Sequence, residues 1–67
     1  MDKFSKRLKE LRTEKHLSQM QLAKATGLSA GAIGFWETEQ RIPNALAIIT
    51  LAKYFGVTTD YLLGITD

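Results

Sequence analysis

The sequence predicts an all-α fold whose second and third helices form a helix-turn-helix. Three observations lead there. Ser18 is followed three residues later by Gln21, the S-x-x-Q capping box that starts a helix. Gly27 supplies a left-handed stop, and Ser29 then offers a second N-cap. Between and after these signals, Leu22, Ala23 and Thr26 fall on one helical face, and Ile33 and Trp36 fall on the inner face of the next. Leu28 plugs inward, and Ala23 is small enough for the two short helices to touch closely.

The chain has 67 residues, enough for one small domain spanning 1–67. It contains no Cys, so neither a disulfide nor a thiolate metal site is available. With 45% hydrophobic and 24% charged residues it reads as globular. A compact helical core must supply the stability, so core positions need good apolar residues. No apolar run approaches the roughly 18 residues of a membrane span, and no signal-peptide pattern is present, which makes the cytoplasm the expected location. The net charge is +2, but its distribution is uneven. Residues 1–27 carry seven Lys/Arg against three acidic residues, whereas residues 28–67 carry two against four. The positive field therefore belongs mostly to the first two helices, a weak pointer to nucleic acid.

Helix 1 is expected from about Asp2 to Lys15, with Phe4, Leu8 and Leu11 as its core stripe. Asp2 and Lys15 complement the helix dipole at its two ends. His16 stands where this helix must stop, a structural position rather than a catalytic one. Helix 2 covers Gln19 to Thr26. Helix 3 covers about Ala30 to Thr38. A polar loop follows to Pro43, which blocks backward extension of helix 4, and Asn44 is its N-cap. Helix 4 runs to Phe55 and ends at Gly56, with Ala45, Ile48, Leu51, Ala52 and Phe55 as its core stripe. Thr58 caps a final short helix, Thr59 to Leu63, which stops at Gly64 and buries Leu62.

The pattern Gln19-x-x-Leu22-Ala23-x-x-x-Gly27-Leu28-Ser29-x-x-x-Ile33-x-x-Trp36-Glu37, followed by Pro43, resembles the Cro and phage-repressor helix-turn-helix family, also described as XRE-like. The tail from Ala52 to Gly64 is similar to that family's last two helices, so the resemblance covers nearly the whole chain. It implies a compact five-helix, lambda-repressor-like domain that binds double-stranded DNA, with helix 3 lying in the major groove. It also implies that Gln19, in the first turn of helix 2, hydrogen-bonds a phosphate, and that Arg12 pairs with Glu37. Gln40 and Arg41 fall near the DNA-facing edge on the same grounds, and relatives usually carry Gly or Asn at the position of His16.

The outward positions of helix 3 are Ser29, Ala30, Gly31, Gly34, Phe35 and Thr38. These depart from expectation, because direct readout usually employs Arg, Lys, Asn or Gln. Gly31 and Gly34 each cost about 1 kcal/mol relative to Ala inside a helix. Such a cost implies a gain elsewhere, or a helix fully ordered only when bound. Ala30 and Phe35 suit apolar contact with a thymine methyl, which implies an operator rich in A·T pairs.

The function expected is a sequence-specific transcriptional regulator, a repressor, binding a two-fold related operator as a homodimer. Leu46 and Ile49, off the helix 4 stripe, join Tyr61, Leu63 and Ile65 as candidates for the dimer surface. A different class stands beside it: a protein-interaction module of antirepressor or antitoxin type that keeps the fold with weak DNA readout. An enzyme is not expected. One His, no Cys and no core-facing carboxylate pair offer no catalytic set. No cofactor, metal or small-molecule ligand is implied.

Overall fold

In the computed structural model, which describes residues 2–66, the elements run α1 (Asp2–Glu14), α2 (Gln19–Thr26), α3 (Ala30–Glu37), α4 (Ala45–Phe55) and α5 (Thr59–Leu63). Local cap chemistry explains most of these boundaries. Ser18 accepts a hydrogen bond from the Gln21 backbone N–H at 3.0 Å, and the Gln21 side chain accepts from the Ser18 N–H at 2.8 Å. This closes the capping box of α2. Ser29, Asn44 and Thr58 cap α3, α4 and α5 through the N–H groups of Ala32, Ala47 and Tyr61. Gly27 takes φ +76°, the left-handed conformation that ends α2 and turns the chain into α3.

Two other helix ends use the same turn without glycine. His16 has φ +57° and Glu39 has φ +62°. Around His16, Leu17 N–H reaches the Arg12 carbonyl and His16 N–H reaches that of Thr13. This is the Schellman pattern, and a side chain at its left-handed position carries a steric cost. Exchange of His16 for Gly should therefore stabilise the domain by about 1 kcal/mol. A thermal melt should show a rise of about 4–8 °C for a domain of this size. An unchanged or lowered midpoint would mean that the His16 side chain contributes contacts worth at least as much.

The core comprises Phe4, Leu8, Leu22, Ala23, Ile33, Trp36, Ala47, Leu51, Ala52 and Leu62, with Leu11, Leu17, Leu28, Ile48 and Phe55 packed around it. Phe4 meets Trp36 edge to face at 6.5 Å between ring centroids. α1 packs on α3 and α5, α2 on α3, and α5 on α4. The expected stripe of α4 needs one correction. Ala45 is exposed and Ala47 is buried in its place. The buried face is set by Ala47, Leu51 and Ala52, one turn apart, so Ala45 in the first turn points away. Helix 1 ends one residue before the expected Lys15, and Thr38 is the C-cap of α3 rather than its last residue.

Two polar residues of α1 hold distant backbone. Ser5 is buried and its hydroxyl donates to the Trp36 carbonyl. Arg7 donates through Nη1 to the carbonyls of Tyr61 and Thr66, and its guanidinium lies 4.2 Å from the Tyr61 ring centroid. Arg7 thus fastens α5 and the segment after it to α1. No helix among the described residues is long and apolar enough to cross a membrane.

Candidate nucleic-acid interface

Helix α3 has eight residues, and an α-helix with its side chains is about 10–12 Å across, which fits the width of a B-DNA major groove. The inner face is anchored by Ile33 and Trp36, both buried. That anchoring turns Gly31, Gly34, Phe35 and Thr38 toward the periphery. Gly31 and Phe35 are exposed, Gly34 and Ala30 half-buried, and Ser29 and Thr38 exposed at the two ends.

The two glycines have different reasons. A methyl group at Gly34 would lie 3.3 Å from Gln19 Oε1, tighter than an ordinary contact. Gly34 therefore lets the Gln19 amide pass across α3, which is the gain that offsets its helix cost. At Gly31 the nearest neighbour of an added methyl is Ser29 Oγ at 3.6 Å, so packing does not require glycine there. Its consequence is a thin, open stretch of helix surface.

Behind the exposed face of α3 lies a charged cluster. Arg12 Nε donates to Glu37 Oε2 at 2.7 Å and Arg12 Nη2 donates to Glu37 Oε1 at 3.0 Å, a bidentate fork. Arg12 Nη1 donates to the Leu17 carbonyl at 2.6 Å, and Gln19 Nε2 donates to Glu37 Oε1 at 3.1 Å. The Arg12 and Glu37 side chains are 12% and 3% exposed. The hydrogen bond to Glu37 raises the Arg12 pKa above its ordinary value, against the opposing effect of burial. The cluster joins α1, the α1–α2 turn, α2 and α3, and so sets how the two helices of the motif sit on α1. Gln19 thus spends one amide N–H on Glu37. What it still offers an anion is the first turn of α2, where backbone N–H groups lack helical acceptors.

The far end of α3 is closed by a second Schellman turn, with Gln40 N–H on the Phe35 carbonyl at 2.8 Å and Glu39 N–H on that of Trp36. Thr38 Oγ1 donates to the Gly34 carbonyl at 2.9 Å and accepts from Gln40 Nε2 at 3.0 Å. Arg41 then returns over Phe35, its guanidinium 4.8 Å from the ring centroid. The sequence reading missed this stack, as it missed the anchoring role of Arg7. Residues six apart across a left-handed turn carry no periodic signal.

Comparison with known proteins decides the family. A helix-turn-helix family profile matches residues 8–62. The chain belongs to the helix-turn-helix family. It is 42% identical over 60 residues to the HTH-type transcriptional activator BcrR of Enterococcus faecalis, covering 90% of this chain and 29% of that protein. It is 34% identical over 64 residues to the HTH-type transcriptional regulator YobD of Bacillus subtilis, covering 96% of this chain and 57% of that one. The chain therefore spans well under two thirds of the length of these curated relatives. Among solved structures, the restriction-modification controller protein C.AhdI of Aeromonas hydrophila superposes with a TM-score of 0.82 at 39% identity. That match covers 91% of this chain and 92% of that one. The five-helix architecture and the Cro and phage-repressor resemblance are thus borne out at the level of family and fold. The domain is a helix-turn-helix of the transcription-regulator type.

Proposed function

We propose that this helix-turn-helix domain binds double-stranded DNA in a sequence-specific manner, as a homodimer on a two-fold related operator, and regulates transcription there. The observation that carries the reading is the exposed face of α3, held at a defined angle by the Arg12–Glu37–Gln19 cluster. Base contacts fall to Ser29, Ala30, Gly31, Gly34, Phe35, Thr38 and Gln40 along α3 and its closing turn. Phosphate contacts fall to the first turn of α2 at Gln19 and to exposed lysines of α1, while Arg41 stands at the groove edge. Arg7 and Arg12 are excluded from that set, since both are engaged inside the domain. The chain acts in the cytoplasm and catalyses no reaction, consistent with relatives named as transcription regulators.

Repression by occupancy is the mode we adopt: a domain seated in the major groove excludes other proteins from the same base pairs. A reporter whose expression rises when the protein is supplied would reverse that assignment.

Salt titration tests the DNA reading directly. Each phosphate neutralised contributes a slope of about −0.9 in log affinity against log salt. With about three such contacts per copy, and so about six per dimer, affinity should fall on the order of 10³-fold between 50 and 200 mM salt. Fluorescence anisotropy with a labelled duplex measures this. A salt-independent affinity, or no binding at low salt, would favour a protein-interaction module instead.

A further inference from the structure

The exposed pair at the end of α3 carries an inference that rests on the DNA-binding reading and goes beyond it. We propose that Phe35 and Arg41 act as one reader of a thymine–guanine step, with the thymine methyl against the Phe35 ring and the adjacent guanine held by the Arg41 guanidinium.

The pair is built before DNA arrives. Glu39 occupies the left-handed region at φ +62°, which reverses the chain after α3. The hydrogen bonds of Thr38 to the Gly34 carbonyl, of Gln40 Nε2 to Thr38 and of Gln40 N–H to the Phe35 carbonyl brace that reversal. The reversal brings Arg41 back over Phe35. A cation over an aromatic face is attracted by the ring quadrupole, so the stack holds the planar fork in one orientation.

Chemistry then selects the target. The Phe35 side chain is the one large apolar group that the outer face of α3 offers, and the residue is 39% exposed. In the major groove an apolar group distinguishes thymine by its C5-methyl. The Arg41 guanidinium forms no ion pair with a described carboxylate, and the residue is exposed. The commonest specific partner for such a fork in the groove is guanine, through O6 and N7. The guanidinium lies 4.8 Å from the ring centroid, so the two side chains can reach adjacent base pairs, which are stacked about 3.4 Å apart. Pyrimidine–purine steps such as TG are also readily deformed, which eases the approach of a bulky ring. The stack supplies what the Gly- and Ala-rich remainder of α3 lacks, a polar reader, and adds a G·C contact to the A·T-rich operator expected from the sequence.

The test starts with selection of bound duplexes from a random pool by the wild-type protein. The selected duplexes should share a thymine stacked on a guanine within each half-site. Substitution of uracil for that thymine removes only the methyl, and substitution of 7-deazaguanine removes only N7. Each should weaken wild-type binding by about five- to tenfold. Arg41→Met keeps a long stem but removes every N–H donor, so it should be insensitive to 7-deazaguanine. Phe35→Leu should become insensitive to the uracil change. The two DNA substitutions need no protein variant, so they remain decisive even if Phe35→Leu folds poorly. Selected sites lacking the step, or analogues that leave wild-type affinity unchanged, overturn the proposal. So does an Arg41→Met protein still sensitive to 7-deazaguanine. In those cases a persistent salt-dependent, sequence-selective affinity shows that the domain still reads DNA and that only this assignment has failed. Loss of all sequence selection would instead remove the DNA reading itself.

Discussion

Replacement of Glu37 by alanine should destabilise the domain by about 3–5 kcal/mol, the range observed when one partner of a buried pair is removed. The Glu37 carboxylate is 3% exposed and accepts three hydrogen bonds, two from Arg12 and one from Gln19. Without it, the Arg12 guanidinium stays largely buried with only the Leu17 carbonyl as a partner, and one Gln19 donor loses its acceptor. Arg12 keeps 12% exposure, so water reaches part of it and the lower half of the range applies. A small domain has about 5–15 kcal/mol of stability in total, so the loss should lower the melting midpoint by at least about 12 °C. Glu37→Gln should cost less, because it retains the shape and one acceptor. The double variant Arg12→Met with Glu37→Leu should recover much of the loss, since an apolar replacement of both partners leaves no uncompensated charge. Thermal melts of Arg12→Met, Glu37→Leu and the double variant, arranged as a double-mutant cycle, give the coupling. A Glu37→Ala protein that melts with the wild type would show that the pair contributes nothing.

The pH dependence has a definite sign. The folded-state pKa of Arg12 is raised, chiefly by its hydrogen bond to Glu37. A group of this kind contributes its full stability below its unfolded-state pKa and loses it only as pH rises through the folded value. For an arginine that window is strongly alkaline. Titration of Arg12 therefore does not move stability across the neutral range.

Most of the fold was legible because helix ends are local chemistry. Ser18 with Gln21, Gly27, Ser29, Asn44, Gly56, Thr58 and Gly64 each act on their own segment, and the structure uses every one at a helix terminus. What failed was the choice of face where local signals are degenerate. Helix α4 reads ALAIITLAKYF, apolar almost all round, so the spacing is equally well met by a stripe starting at Ala45 or at Ala47. Only packing on α2 and α5 selects the second. Ser5 and Arg7 were illegible for another reason. Their partners are backbone carbonyls at Trp36, Tyr61 and Thr66, and a carbonyl leaves no mark in the sequence. At the candidate site the pairing of Arg12 with Glu37 came from family resemblance, since no periodicity links residues 25 apart. The reason for Gly34 emerged only with Gln19 lying across it.

Substitution of Ile49 or Leu46 by lysine should convert a dimer to a monomer and lower affinity for a symmetric operator by about 10²–10⁴-fold. On the proposed operator one copy of α3 would span a single half-site, and symmetric half-sites recur about 34–36 Å apart. The domain measures 27 × 24 × 20 Å, so two copies in contact place their centres closer than that. The reading helices must therefore lie outboard of the interface. α3 packs chiefly on α1 and α2, whereas α4 and α5 pack on each other, so a contact through α4 and α5 leaves both reading helices outboard. Leu46 and Ile49 stand one turn apart on α4 at 70% and 43% exposure, and Ile65, just beyond α5, is 69% exposed. Leu63 is half-buried beside them in sequence and extends the candidate surface. Tyr61 is a weaker member, because its ring already carries the Arg7 guanidinium. A lysine at the centre of an apolar contact brings an unpaired charge that must be desolvated on association. Both substituted positions are exposed in the single domain, so the melting temperature of the monomer should change little. Sedimentation should show wild-type dimers at high micromolar concentration, and monomers for each variant. Dimerisation and operator affinity that survive both substitutions would move the interface off α4.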